Sequence, residues 1–502
     1  MDIVLLTLPR LEMRSPITAP AILKAVVEQN GFSAYCMDIN LKLWRSVDAS
    51  KLGHIWYDTD LTFRYVDRFE KFWNDVILPR MPEWLSEIRS KNPRWVGITV
   101  FSQRSSLVTQ KFCEYLRDNL PSVQIVIGGP YADVIGPKLH SNGSIDAYVI
   151  GEGEVPLVSI LKGELKCAGI NGRPPEQISD LDTIPIPDYS DFDMHLYPKT
   201  WNDPRVRDDH RMGTDFLYIT GSRGCVRKCS FCDIGDIWPK YRYRSGHSIA
   251  KEMMHQSNKY GIRKFIFTDS LINGSVKQLE SLCRTLIQYY KSGQMKPVLW
   301  QGQFIARPEK HMNEESYKLL REAGCFFVSI GVESGSEIVR TDMNKMFTDK
   351  DLEFTISMCE KYSIEMAWLL MVGYPTETED EFQKTLDLLT RYSYLNSIKM
   401  IRSVALGPTM EIVRGAPIFK DQENHKIFWI NNQWISGDNT KEVRIRRWLR
   451  LKDHCIKLGY PVVEKATEHL LEELKQYDNT VKIESAVYDL HNENSGSMDR
   501  DE

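Results

Sequence analysis

At 502 residues the chain is too long for one ordinary hydrophobic core, so two or three domains are expected. A hydrophobic content of 42% and a formal net charge of −4 give no sign of a nucleic-acid coat or a membrane surface, and no apolar run reaches the roughly eighteen residues of a transmembrane helix. Ten cysteines, three clustered and the rest scattered without a pairing pattern, fit a reducing compartment better than a disulfide framework.

The chain opens on an apolar run, Ile3 to Leu8, without the basic region or small-residue cleavage site of a signal peptide; it reads as a first strand, and a cytoplasmic location is expected. A loop carrying Pro9, Pro16 and Pro20 follows, then a helical pattern from Ala21 to Val27 stopped by Asn30-Gly31. Phe32 to Met37 is a second strand. The insert 40–92 is rich in aromatics (Trp44, Trp56, Tyr57, Phe63, Tyr65, Phe69, Phe72, Trp73, Trp84) at helical spacing, which favours core packing over a substrate-facing role. Trp95 to Phe101, Val123 to Ile127 and Ile145 to Ile150 are further strands, with a helix from Leu107 to Leu120. Strands alternating with helices predict a parallel, doubly wound, Rossmann-like sheet over 1–170, with ligands beyond the carboxyl ends of its strands. Those ends carry Gly128-Gly129-Pro130 and Gly151-Glu152-Gly153-Glu154. Glycines there either simply end strands or let a bulky ligand approach the backbone.

Prolines at 174–175 and in Ile184-Pro185-Ile186-Pro187 mark a stiffened linker over 171–212, with a polar stretch from Lys199 to Gly213 that reads as a mobile loop. Next comes a strand that runs into Gly224-Cys225-Val226-Arg227-Lys228-Cys229-Ser230-Phe231-Cys232. Three thiolates on one loop can hold three irons of a [4Fe–4S] cluster and leave the fourth open. A structural zinc wants four protein ligands, and Cys283, Cys325, Cys359 and Cys455 are isolated in sequence. Six strand–helix units follow over 213–415, with a first strand from about Phe216 that ends at the cysteine loop and later strands at Lys264–Thr268, Val298–Phe304, Phe326–Val332, Met366–Val372 and Ser397–Val404.

The C-x3-C-x2-C spacing, the preceding Gly-Cys and Phe231 before the last cysteine resemble the radical S-adenosylmethionine (SAM) superfamily. That resemblance implies a partial (β/α)6 TIM-type barrel, with Cys225, Cys229 and Cys232 on the cluster and SAM on its open iron. The strand ends supply the SAM candidates. Asp269 and Ser270 stand where the family binds the SAM amino group, although Gly-Gly-Glu is absent. Arg307 ends strand three, Glu333 and Ser334 match the ribose position, Gly373 begins a turn that backs the adenine, and Phe231 offers the adenine an apolar face. Any one acidic strand end could equally be a helix cap. The catalytic group itself is unassigned.

The two glycine turns ahead of this loop resemble the cobalamin-binding domain placed before many radical SAM cores. By that resemblance Gly128, Gly129, Gly151, Glu152 and Gly153 line the cobalamin groove. The Asp-x-His-x-x-Gly signature is missing, so the lower face of the cobalt has no assigned ligand; Gln103 and Arg104, after the third strand, are candidates to sit under it.

Arg223, Arg227, Lys228, Lys240, Arg242 and Arg244 surround the cysteine loop, as a solvated face or as a neutralising field for the cluster, the SAM carboxylate or an acidic electron donor such as flavodoxin or ferredoxin. The extension 416–489 is expected to be mainly helical, over Thr440–Leu458 and Pro461–Tyr477. Its run Arg444, Arg446, Arg447, Arg450, Lys452 reads as a solvated helix face, with an anionic substrate as the sharper alternative. The tail 490–502 reads as disordered. The family implies a cobalamin-dependent methyltransferase acting on an unactivated carbon of a small-molecule or biosynthetic-intermediate substrate, by way of a 5′-deoxyadenosyl radical and methylcobalamin. Alternatives are a non-methylating radical oxidoreductase or rearrangement enzyme, with cobalamin as electron carrier or absent, and a non-catalytic cobalamin or redox sensor. No nucleic-acid partner is expected.

Overall fold

The computed structural model describes residues 1–9, 13–56, 62–197, 216–430, 433–464 and 466–475. The chain divides into two compact units: the first holds Met1–Arg223, Tyr241–Gly302 and Glu322–Gly324, and the second holds Gly224–Lys240, Gln303–Arg321 and the chain from Cys325 on. The linker's last stretch, from Lys199 to Gly213, and the tail lie outside the described residues.

In the first unit, β1 (Ile3–Thr7), β2 (Ala34–Asp38), β3 (Trp95–Thr99), β4 (Gln124–Gly128) and β5 (Ala147–Tyr148) form a parallel sheet in the order β2-β1-β3-β4-β5. All five residues of β1 are buried, as expected of a central parallel strand covered on both faces. The order reverses direction between β1 and β3, where a doubly wound sheet binds its ligand. The insert forms short helices, Ile39–Ser46, Ala49–Leu52, Val66–Phe72 and Met81–Ser90. Trp56, Phe63, Phe69, Phe72, Trp73 and Trp84 are buried, and Trp44 meets Trp56 edge-on at 4.9 Å. Those aromatics are therefore the insert's own core; Tyr65 is exposed, and Tyr57 lies outside the described residues.

The proline-rich connector is anchored at residues 187–191. The Lys24 ammonium, buried on helix Thr18–Gln29, donates to Ser190 Oγ (2.7 Å) and Asp191 (2.6 Å), the Asp188 N–H donates to Ala21 O, and Gln256 Nε2 donates to Pro187 O. Next come β6 (Phe216–Ile219), the antiparallel ribbon β7 (Ser222–Arg223) with β8 (Arg242–Tyr243), then β9 (Lys264–Phe267) and β10 (Leu299–Phe304). Within the first unit the parallel order is β6-β9-β10.

The boundary between the units falls inside β10. In the second unit β11 (Cys325–Glu333), β12 (Glu365–Val372) and β13 (Ile401–Thr409) run parallel, each long and alternately buried. The last begins at Ile401 rather than Ser397 because Ser393–Ser397 is a short helix. The extension is less helical than expected. Phe428-Trp429-Ile430 and Gln433-Trp434-Ile435 form an antiparallel hairpin, β14 and β15, and β16 (Val462–Val463) pairs with β13. A continuous helix from Pro461 is thus excluded: helical residues resume only at Thr467. Helix Lys441–Lys457 lies where the sequence placed one, capped by Thr440.

Candidate cofactor site

The cysteine loop of the second unit is held chiefly through Ser230. The Ser230 N–H donates to Met343 O (3.0 Å), and its carbonyl accepts from the Ile418 N–H (2.8 Å). The Tyr374 hydroxyl donates to Asp342 O (3.0 Å), so Ser230 Oγ is the donor in its own 2.7 Å contact with Tyr374. Asn344 Nδ2 donates to Lys228 O, pinning the loop's other shoulder. Phe231 packs against a buried apolar cluster that includes Met343, Tyr374, Ile418 and Trp434. Burial pushes the Cys229 thiol up to about 11 and raises Cys232, so free thiolates are disfavoured until a metal claims them. Among the described residues no three His, Cys, Asp or Glu side chains converge closely enough to hold one metal ion. In an iron–sulfur cluster each of three such thiolates takes its own iron. Arg227 Nε is buried without a partner beside these thiols, a cationic group suited to an anionic cluster.

The strand-end candidates separate into two kinds. Glu333 holds a left-handed backbone, φ 64°, an uncommon conformation for a non-glycine residue, and its carboxylate pairs with Lys345 Nζ at 2.9 Å. Lys345 is itself buried; burial works against its charge, but Glu333 and Cys229 outweigh it, so the ammonium stays protonated within 5.9 Å of the Phe231 ring centre. Ser334, by contrast, is fully buried, accepts from the Ser336 N–H and meets Thr385. Its hydroxyl is thus committed to local structure, whereas the Glu333 carboxylate is partly exposed. Gly373 has φ 90°, and a Cβ there would lie 2.3 Å from Arg444 Cδ, so packing already requires the glycine. Arg307 is partly exposed at the end of β10.

In the first unit, Asp269 is buried and accepts from the Gly221 N–H (2.8 Å) and Ser222 Oγ (2.5 Å). Burial pushes its carboxyl up to about 6 against those hydrogen bonds. It fastens the end of β9 to the approach to the cysteine loop, while Ser270 remains partly exposed.

At the carboxyl edge of the five-stranded sheet, Gln103 and Arg104 form a turn directly after β3, beside the switch point. Phe101, which the sequence reading passed over, stands 53% exposed there: a large apolar face left open at the ligand edge. Only its place two residues past the end of β3 could have flagged it. Gly128 has no neighbour nearer than 3.7 Å to a Cβ. Gly129 (φ 108°) and Gly151 (φ 80°) are demanded by the chain itself, since a Cβ would lie 2.7 Å from Val100 O and from Pro175 respectively. A Cβ on Gly153 would only brush Leu23.

Glu152 does not open onto a groove. Its carboxylate accepts from Arg223 Nη1 (2.5 Å), Arg242 Nη1 (2.9 Å) and the Ile178 N–H (2.5 Å), and Arg223 also pairs with Glu154. Arg244 is likewise buried against Glu252. Three of the six cations flanking the cysteine loop are therefore structural, leaving Arg227 partly buried and Lys228 and Lys240 exposed. The basic helix is also paired. Arg444 and Arg447 are buried, Arg447 against Glu377 and Glu379, while Arg450 meets Glu379, Arg446 meets Glu442 and Lys452 meets Glu464. A solvated face does not describe Arg444 and Arg447, and a site for an anionic substrate finds no uncommitted charge in this set.

The family model of the radical SAM superfamily matches residues 219–389, and that of the B12 binding domain matches 68–161. The chain is a radical SAM protein with a B12-binding domain ahead of its core. An uncharacterised methyltransferase of Pyrococcus horikoshii is 25% identical over 319 residues, covering 60% of this chain and 64% of the relative. Among solved structures, the radical SAM methyltransferase TsrM of Kitasatospora setae, with tryptophan and a SAM analogue bound, superposes with a TM-score of 0.59 at 18% identity, over 83% of this chain and 75% of that one. OxsB, a cobalamin-dependent SAM radical enzyme with aqua-cobalamin and SAM bound, gives 0.62 at 15%, over 89% and 65%. These likenesses establish the fold. Membership implies a [4Fe–4S] cluster, SAM and cobalamin. The residues of this radical SAM protein fit the first two, through the pinned cysteine loop with Arg227 and through Glu333 and Phe231. They fit cobalamin through the open face of Phe101, Gln103, Arg104 and Gly128. Among the described residues no helix is long and apolar enough to cross a membrane.

Proposed function

We propose that this protein is a cobalamin-dependent radical SAM enzyme that transfers a methyl group to carbon of a small-molecule substrate. The observation that carries the reading is the cysteine loop itself: three cysteines on one loop whose shape is fixed, through Ser230, by Met343, Ile418 and Tyr374. Methyl transfer is supported by the Pyrococcus relative and TsrM both being named methyltransferases. When bound, the cluster would supply the electron that cleaves SAM, and cobalamin would carry the methyl group. The chain's own part is positional. Ser230 and Tyr374 hold the loop in one shape, Lys345 keeps positive charge beside Cys229 and orients Glu333, and Phe231 gives a flat apolar surface. Phe101 and the turn after β3 present the platform for the second cofactor. The electron donor we envisage is flavodoxin or ferredoxin, with exposed Lys228 and Lys240 offering charge to an acidic partner.

The test is anaerobic purification with reconstitution, absorbance for cluster and cobalamin, and mass spectrometry of both SAM products across a metabolite extract. S-adenosylhomocysteine together with 5′-deoxyadenosine supports methylation; 5′-deoxyadenosine alone points to a radical oxidation or rearrangement instead. Changing Cys225, Cys229 and Cys232 together to Ala must abolish bound iron; retained iron would sink the reading.

A further inference from the structure

The C-terminal segment has no assigned role, yet its hydrogen bonds converge on two places expected to touch SAM. Asn439 Nδ2 donates to Gly373 O (3.3 Å) and Tyr374 O (2.8 Å), bridging both carbonyls of the turn that follows β12. The Gly373 N–H donates to the Glu377 carboxylate (2.8 Å). The turn's polar groups are thus satisfied internally, so it can present a fixed surface rather than hydrogen bonds. Arg444 lies 3.7 Å over the Trp434 ring, donates to Asn439 O (2.8 Å) and Trp434 O (2.9 Å), and lays its aliphatic stem on Gly373. Its guanidinium also faces Asn439 Oδ1 (3.5 Å), which sets the amide's orientation. Trp434 Nε1 donates to Met410 O, and the Met410 N–H returns to Val372 O at the end of β12. From the turn, Tyr374 reaches Ser230 between Cys229 and Cys232, and Ile418 of the same segment bonds Ser230 directly.

We propose that the group formed by Met410, Ile418, Trp434, Asn439 and Arg444 is a working part of the SAM site, and that Asn439 is a positioning residue that sets the Gly373–Tyr374 turn against the adenosine end of SAM. This rests on the radical SAM reading above. A scaffold would tie the segment to the barrel anywhere; here one unbroken set of bonds runs from Asn439 through Tyr374 to the cysteine loop. Gly373 shows the same division of labour: its Cβ side is filled by Arg444, so a nucleoside can use only the turn's other face.

The test uses the full chain, reconstituted, as Asn439→Ala and Asn439→Asp, with Arg446→Ala on the exposed side of the following helix, Lys441–Lys457, as control. Three quantities are read: iron per chain, SAM affinity by equilibrium dialysis, and the change in the electron paramagnetic resonance spectrum of the reduced cluster on adding SAM. Losing two hydrogen bonds predicts SAM affinity weaker by about tenfold in both Asn439 variants, with iron content kept and the spectral change needing correspondingly more SAM. The control should match the unaltered chain. Unchanged SAM affinity with iron retained overturns the inference, and so does loss of iron in both variants, which would make Asn439 a support of the loop alone. If the unaltered chain takes up iron but never responds to SAM, the radical SAM reading fails first, and that is seen before any variant is made.

Discussion

Glu152 was expected to line a cobalamin groove and is instead the hub of a buried ion-pair cluster. Its side chain is 2% exposed, with Arg223 at 13% and Arg242 at 7%. Removing one partner of a buried, multiply hydrogen-bonded pair costs about 3–5 kcal/mol, because the partners are left charged and desolvated. Glu152→Ala takes the carboxylate from Arg242, which keeps Ile178 O, and from the Ile178 N–H, while Arg223 keeps Glu154; Glu152→Gln should cost less. At about 2–4 °C per kcal/mol for a domain of this order, the Ala variant should lose roughly 6–20 °C in Tm. The pH dependence follows from the carboxyl's environment. Burial alone would raise its pKa, but hydrogen bonds from Arg242, Arg223 and Ile178 outweigh it and hold the group below its ordinary value of 4.5. A lowered folded-state pKa means that the stabilisation is present above about pH 4.5 and is lost as pH falls through the lower folded value. Thermal unfolding of wild type and variant should therefore differ widely at pH 7 and converge in acid. A shift in Tm too small to measure, or a gap that does not narrow as pH falls below about 4.5, would refute the reasoning.

Glu377 should behave in the opposite sense. Burial pushes its carboxyl up to about 7 against the Gly373 N–H and Arg447, so the native state loses stability as pH rises from about 4.5 to 7, by ~3 kcal/mol at most; urea denaturation at pH 5 and pH 8 should show that slope, and Glu377→Gln should abolish it. Gly129→Ala meets both a left-handed φ and Val100 O at 2.7 Å, and should destabilise the chain by at least about 1–3 kcal/mol in thermal unfolding. Phe101→Ser removes an exposed side chain and should change stability by less than about 0.5 kcal/mol, yet lower cobalamin occupancy without changing bound iron. Equal cobalamin in both proteins would remove Phe101 from the site.

Much of this was legible along the chain because it is local. The cysteine spacing lies within one loop, apolar runs make parallel strands, and strand–helix alternation orders them, so both sheets and the candidate cluster ligands followed from residue type and period. Charge partners were not legible. Arg223, Arg242 and Arg447 look in sequence like solvated cations, but each is set against a carboxylate brought from far along the chain, Glu152 for Arg223 and Arg242, Glu377 for Arg447. The glycines show the same limit: a turn marks that a glycine is present, while only the fold decides whether a cofactor or Val100, Pro175 and Arg444 takes the missing side chain's place. Sequence by itself determined the kind of chemistry, because thiol spacing and strand order are properties of neighbours in the chain. Tertiary structure alone decided which polar groups remain uncommitted for cofactors, because a buried charge must find its partner wherever the fold supplies one.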